Sequence, residues 1–254
     1  MRALKVIGIG MGNPRQLTTQ AIDALRSVDA FFVLDKGAGA DELATVRKDL
    51  CRAVIGASEP RFVVVSDPPR DRSATDYAQG VQDWTAERGE ILLDAVEANL
   101  APGQTAGILA WGDPAFYDGT LRALDAGRAT GRVGVEVIPG ISSIQLLAAA
   151  HRISLTRIGQ PLVVTTGRQL ARNGLPPLCH DVVVMLDGDC SFQHLEPEGV
   201  HIYWGVDLGG PDEALVSGEL AVVRDNIVAK RAEIRARRGW AMDSYLLRRD
   251  IAPW

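Results

Sequence analysis

Apolar and polar positions follow two alternating rhythms over the first 151 residues. Short, nearly continuous apolar runs at residues 4–10, 30–34, 61–66, 104–111 and 134–138 read as buried strands. Between and after them lie stretches with helical spacing. In 17–27, Leu17, Ala21, Ala24 and Leu25 share one face with Val28. Residues 41–55, 75–100, 119–128 and 142–151 follow the same rule, and Gly89 is expected to weaken or bend the longest of them. The alternation predicts an α/β domain over residues 1–141, a parallel sheet with crossover helices.

Beyond His151 the texture changes. Residues 161–166, 181–186, 201–206 and 215–220 read as further strands, joined by Pro/Gly loops at 173–177 and 209–211. Few helical stretches separate them. A second domain of mixed α+β character is expected over residues 142–254.

Three small-residue turns follow three of the first-domain strands. They are Gly8-Ile9-Gly10-Met11-Gly12-Asn13-Pro14, Trp111-Gly112-Asp113-Pro114 and Pro139-Gly140-Ile141-Ser142-Ser143. A parallel sheet gathers such turns at its carboxyl edge, where open α/β sheets bind small ligands. The first is not a dinucleotide fingerprint: Asn13 stands where that pattern needs glycine, and Pro14 has no backbone donor for a pyrophosphate. Its glycines serve either a tight strand-to-helix turn or the close approach of a ligand. Asp113 is either a cap for the next element or an acceptor for a ligand ammonium or hydroxyl. Ser142 and Ser143 either cap a helix or offer helix-start donors to an anion. As a set, the turns suit a small zwitterionic ligand that carries adenosine.

Composition narrows the field. The chain has 254 residues, 46% of them hydrophobic, yet no apolar stretch is long enough to span a membrane. Met1-Arg2-Ala3-Leu4-Lys5 runs directly into a strand without the apolar core of a signal peptide. A cytoplasmic protein with no membrane partner is expected. Cys51, Cys179 and Cys190 are odd in number and lack zinc spacing, so buried reduced thiols are expected. The four histidines form no ligand pair, and no metal is expected. A net charge of −5 argues against nucleic acid. Arginines do cluster locally. Arg231, Arg235, Arg237 and Arg238 read as a solvated face. Arg70 and Arg72, in the Pro-rich run 67–72, read either so or as a clamp for carboxylate or phosphate.

The ordered set of motifs resembles the tetrapyrrole methyltransferase family. The likeness rests on the three turns with Leu17-Thr18 and Tyr117, on Val28-Asp29-Ala30 leading to Leu34-Asp35, on Val183-Val184-Met185, and on Tyr203-Trp204-Gly205-Val206-Asp207-Leu208-Gly209-Gly210-Pro211-Asp212-Glu213 with Gly218. It covers nearly the whole chain. Asn13 departs from it, standing where most of the family carries aspartate.

The resemblance implies an S-adenosylmethionine-dependent enzyme, with the cofactor folded between the two domains and held largely by backbone. Cofactor contacts carry over to Gly10, Pro14, Trp111, Gly112, Asp113, Phe116, Ser142, Ser143, Met185, Leu208, Gly209 and Gly210. Asp35-Lys36-Gly37, the 67–72 run, Tyr77, Trp84, Arg88 and Met185-Leu186-Asp187-Gly188 are most similar to the branch that methylates precorrin-5 at C-1 and expels its C-20 acetyl group as acetate. Methyl transfer to an electron-rich carbon needs alignment rather than a protein nucleophile. Deacetylation needs activated water, for which Asp35, Lys36, Asp113 and Tyr117 are the candidates. Arg70, Arg72 and Arg88 are the candidates for the substrate carboxylates. A homodimer is the family expectation. The competing readings are another tetrapyrrole acceptor and a nucleotide-binding module without chemistry.

Overall fold

The computed structural model describes residues 2–35, 41–56, 59–69 and 77–249. The chain divides into two units, Met1–Ser142 and Ser143–Trp254.

The first unit carries β1 (Arg2–Gly8), β2 (Ala30–Asp35), β3 (Phe62–Ser66), β4 (Thr105–Ala110) and β5 (Val133–Ile138). They form one parallel sheet in the order β3-β2-β4-β1-β5. Side chains alternate across a strand, so β1 feeds two cores. Leu4 and Val6 enter one cluster; Ile7, and Ile9 just beyond the strand, enter the other. Helices α1 (Thr19–Arg26) and α2 (Asp41–Ile55) cover the Ile7 face through Ala21, Leu25 and Leu50. Helices α3 (Tyr77–Asn99), α4 (Thr120–Ala123) and α5 (Asp125–Ala129) lie against the opposite side, with Leu92, Leu93, Val96 and Leu124 in the Val6 cluster. The chain thus leaves the neighbouring strands β1 and β4 toward opposite faces of the sheet. That divergence opens the carboxyl edge where doubly wound sheets take ligands.

Two expectations change here. The stretch 119–128 is two short helices, not one. Gly89 does not break α3, which runs through it. A Cβ at Gly89 would collide with the Ala123 carbonyl oxygen, so this glycine lets α4 pack close against α3.

The second unit opens with α6 (Ser143–His151) and holds a mixed sheet of β6 (Leu162–Thr166), β7 (Asp181–Met185), β8 (Val200–Val206), β9 (Ala214–Glu219) and β10 (Asp243–Arg249). The order is β6-β7-β10-β8-β9, and only β6 and β7 are parallel. α7 (Gly167–Asn173) and α8 (Leu220–Arg238) were not evident from the sequence pattern, nor was β10. Leu220, Ile227 and Ile234 of α8 recur at seven-residue spacing and sit in the core with Trp204 and Tyr245.

The arginines of α8 are not one solvated face. Arg235 and Arg237 are exposed, but Arg231 is buried and Nε donates to both carboxylate oxygens of Asp243 at 3.1 Å. Arg238 pairs with Asp207 at 2.9 Å. All three cysteines are buried and unpaired, and burial pushes the Cys51 thiol up to about 12. Among the described residues, no helix is long and apolar enough to cross a membrane, and no group of three side chains could hold a metal ion.

Candidate active site

The three turns meet backbone to backbone. Past the ends of β1 and β4, Gly10 and Gly112 form an isolated antiparallel bridge. The Gly112 N–H donates to the Gly10 carbonyl at 2.7 Å, and the Gly10 N–H returns a bond at 3.3 Å. Both have positive φ, 61° and 63°, a conformation that glycine adopts at little cost. Gly8 and Gly140 pack beside them. A Cβ on Gly8 would lie 2.6 Å from the Gly140 nitrogen, and one on Gly140 would collide with the Gly112 carbonyl oxygen. These glycines therefore serve the packing of one turn on another.

Asp113 secures that packing. Its Oδ2 accepts the Gly140 N–H at 2.8 Å, and its Oδ1 accepts the Ala115 N–H at 2.8 Å. Both oxygens of the carboxylate serve backbone donors. Of the two roles the sequence left open, capping is the one these bonds display, and the cap also ties the second turn to the third.

The first loop is held by its own side chains. Asn13 Oδ1 accepts the Arg15 N–H at 3.0 Å and starts a 3-10 turn, Pro14–Gln16, with Pro14 exposed at its first position. Gln16 is buried and its Oε1 accepts the Met11 N–H at 2.7 Å. Gln16 carried no sequence signal; its role follows from the turn that folds it back.

Trp111 continues from β4 into this cluster. A Cβ on Gly12 would lie 2.6 Å from Val46 Cγ1 and 3.0 Å from Trp111 Cζ3, so the first loop, α2 and Trp111 are in contact. The Arg47 guanidinium lies 4.8 Å from the Trp111 ring centroid. It is half-buried, and desolvation lowers its pKa to about 10, against an opposing pull from Asp118. Among the described residues Arg47 has no ion pair within 4.0 Å, and the buried Trp111 Nε1 has no acceptor. A buried donor without an acceptor costs about 1–3 kcal/mol, so the Trp111 indole stands out. Arg47 occupies an ordinary position of an amphipathic helix, which is why the sequence did not single it out.

Phe116 is half-buried, and its N–H donates to the Asp113 carbonyl at 3.1 Å. Tyr117 follows with φ 54°, partly exposed, its phenol raised above the ordinary value by desolvation. Asp35 ends β2 with an exposed side chain, and its carbonyl accepts the Asp67 N–H at 3.1 Å. Lys36, Arg70 and Arg72 lie outside the described residues. Arg88 is buried, ion-paired with Asp67 at 2.8 Å and stacked 4.9 Å from the Trp84 ring centroid. Asp67 thus already balances the charge of the arginine expected to bind substrate carboxylates.

Ser142 is buried at the end of the first unit. Ser143 opens α6, and its hydroxyl bonds the Ser244 hydroxyl at 2.9 Å.

In the second unit, Met185 is half-buried at the end of β7. Leu186 follows with φ 53° and an exposed side chain. Buried Asp187 anchors this turn: its carboxylate accepts from the Tyr245 hydroxyl at 2.5 Å, the Ser191 N–H at 2.7 Å and the Ser191 hydroxyl at 2.9 Å. The turn of Leu208, Gly209 and Gly210 is likewise internally bonded. Gly209 N–H donates to Glu213 at 2.6 Å, and Gly210 N–H donates to the Asp207 carbonyl at 2.7 Å. The amides of Gly209 and Gly210 are thus committed within the loop.

A parallel sheet edged by three interlocked glycine turns, followed by a mixed-sheet unit, defines a class. The chain belongs to the tetrapyrrole (corrin/porphyrin) methylases, whose family pattern matches residues 3–223. It is 43% identical, over 98% of its length and 96% of the relative's, to a precorrin-6A synthase [deacetylating] from Sinorhizobium sp. The crystal structure of a cobalamin synthesis related protein (CobF) from Corynebacterium diphtheriae is 33% identical, covers 98% of this chain and 99% of that one, and superposes with a TM-score of 0.82. A uroporphyrin-III C-methyl transferase from Thermus thermophilus, solved with S-adenosyl homocysteine, shares the fold at 18% identity. It covers 96% of this chain and 91% of that one, with a TM-score of 0.57.

Proposed function

We propose that the protein is a precorrin-6A synthase. It transfers a methyl group from S-adenosylmethionine to C-1 of precorrin-5, and water removes the C-20 acetyl group as acetate. The observation that carries this reading is the full-length likeness, 43% identity over 98% of the chain, to a relative of that activity.

The residues of the first unit fit such a donor on a physical test. Trp111 Nε1 is a buried donor with no acceptor among the described residues, set beside the bridge of Gly10 and Gly112. An acceptor-bearing ligand at this edge supplies what the protein lacks there. When bound, S-adenosylmethionine supplies an electrophilic methyl on a sulfonium. Pro14, Trp111, Gly112 and Phe116 would line its place. Asp113 acts as a positioning residue, because its carboxylate is spent on the Ala115 and Gly140 amides. No protein nucleophile is needed, since holding donor and carbon in line can supply about 7 kcal/mol or more of the barrier.

Acetate release needs water delivered to the acetyl carbonyl. Tyr117 is assigned the hydrogen-bond donor to that carbonyl, since a phenol is protonated at neutral pH and partial desolvation raises this one further. Asp35, an exposed carboxylate at the same sheet edge, is assigned the base. A cytoplasmic homodimer completes the reading. The test is stoichiometry under anaerobic conditions: acetate and S-adenosylhomocysteine should form one for one from precorrin-5. S-adenosylhomocysteine without acetate would mean a methylase of another precorrin position.

A further inference from the structure

The reaction does not by itself say which side chains hold the substrate's many carboxylates. The described arginines can be sorted by what they already hold. Arg88 is paired with Asp67, Arg231 with Asp243, Arg238 with Asp207, and Arg157 and Arg248 with buried Asp181. Arg132 is surrounded by Glu90, Asp94 and Glu97. Arg47 stands apart. It is half-buried, at the first-unit sheet edge, and has no carboxylate within 4.0 Å among the described residues.

Its surroundings shape it as a receptor. The Arg47 guanidinium carbon lies over the Trp111 ring, 4.8 Å from its centroid. A guanidinium held on an aromatic ring keeps N–H groups to offer a ligand, in the fork that matches a carboxylate. Val46, the preceding residue of α2, is wedged with Trp111 against the first loop at Gly12, which fixes the start of the arginine stem. A half-buried cation whose acidic neighbour Asp118 lies beyond ion-pair distance gains from an anion that a ligand supplies.

We infer that Arg47, stacked on Trp111, is a receptor for a ligand carboxylate, and that this carboxylate is an acid side chain of the tetrapyrrole. The inference rests on the proposed function. The methionine end of the methyl donor also carries a carboxylate, so the two sources must be separated. The assignment to the tetrapyrrole follows from charge. A protein of net charge −5 that holds a polyanion needs cations not already neutralised by its own acids, and Arg47 is one.

The test uses the full chain and two probes, uroporphyrin III as a stable octacarboxylate tetrapyrrole and S-adenosylhomocysteine for the donor site. Affinities are measured by fluorescence quenching and by calorimetry for the parent, R47K and R47Q. The expected result is a tenfold or greater loss of uroporphyrin affinity in R47Q with a flatter salt dependence. R47K should fall between, since lysine keeps the charge and loses the fork. S-adenosylhomocysteine affinity should change less than twofold in both. Should R47Q misfold by circular dichroism, R47K carries the test, with a severalfold loss expected. Uroporphyrin binding equal to the parent's in both variants overturns the receptor. Loss confined to S-adenosylhomocysteine overturns the tetrapyrrole assignment. A parent that binds neither probe overturns the functional reading itself, and the receptor with it.

Discussion

Asp113 and Gly140, 27 residues apart, are joined by a bond from the Gly140 N–H to Asp113 Oδ2 at 2.8 Å. The bond ties the turn after β4 to the turn after β5. The two turns flank the bridge of Gly10 and Gly112, so one carboxylate sets the geometry of the sheet edge. Replacing Asp113 by Ala should cost about 1–3 kcal/mol, because two backbone donors lose their acceptor. It should also weaken S-adenosylhomocysteine binding tenfold or more. D113N keeps one acceptor oxygen and should lie between Ala and the parent. Urea unfolding and calorimetry check both effects.

Gly140 should tolerate no side chain. The Cβ of G140A would collide with the Gly112 carbonyl, a backbone atom that cannot rotate away. We expect a marked drop in thermal stability for G140A. Gly131 shows the opposite case: it has φ 68° and nothing within 4 Å of an added Cβ, so G131A should cost only the backbone strain of that conformation. A G140A midpoint equal to the parent's would show that crowding at the sheet edge is not the controlling factor.

The two chemical events should separate. Y117F removes the proposed hydrogen-bond donor, and D35N the proposed base. Each should accumulate a C-1 methylated product that keeps its acetyl group, with methyl transfer reduced less than tenfold. Burial raises the Tyr117 phenol, so its neutral hydroxyl persists above the ordinary phenol range of about 10. Acetate release in the parent should therefore show no Tyr117-dependent fall up to about pH 9. A parallel loss of both steps in Y117F would give Tyr117 a binding role instead.

The second unit depends on a buried pair. Arg231 donates to both oxygens of Asp243, and Trp204 Nε1 donates to one of them at 2.8 Å. D243A leaves a buried guanidinium and an indole N–H without that partner, and should cost about 3–5 kcal/mol. Removing both charges together, as R231M with D243L, should recover much of that loss. Chemical denaturation of the single and double variants reads the coupling.

The hydrophobic pattern showed how much of this architecture is written locally. All five strands of the parallel sheet were legible as short apolar runs: the inner strands are largely buried on both faces, and the edge strands β3 and β5 stay rich in valine although Val64 and Val137 are exposed. β10 was not. Only its Tyr245-Leu246-Leu247 centre is strongly apolar, and the flanking Asp243 and Arg248 are accommodated by partners distant in sequence, Arg231 and Asp181. α8 was obscured by its arginines: a buried cation on the apolar face breaks the pattern unless its carboxylate is known. The sheet-edge motifs were legible as a set, but the division of labour within them was not. Asp113 looks the same in sequence whether it caps or binds. Arg88 and Arg47 look alike too, and only the position of Asp67 shows which is already neutralised.

The central claim is the reaction, and mass spectrometry of its product tests it most directly. Purified protein is incubated anaerobically with precorrin-5 and S-adenosylmethionine labelled in the methyl group. The account predicts a tetrapyrrole that has gained one labelled methyl and lost its acetyl group, together with free acetate. A product that gains the label at another position and retains the acetyl group, or recovery of unchanged precorrin-5 from protein that binds both ligands, would contradict it.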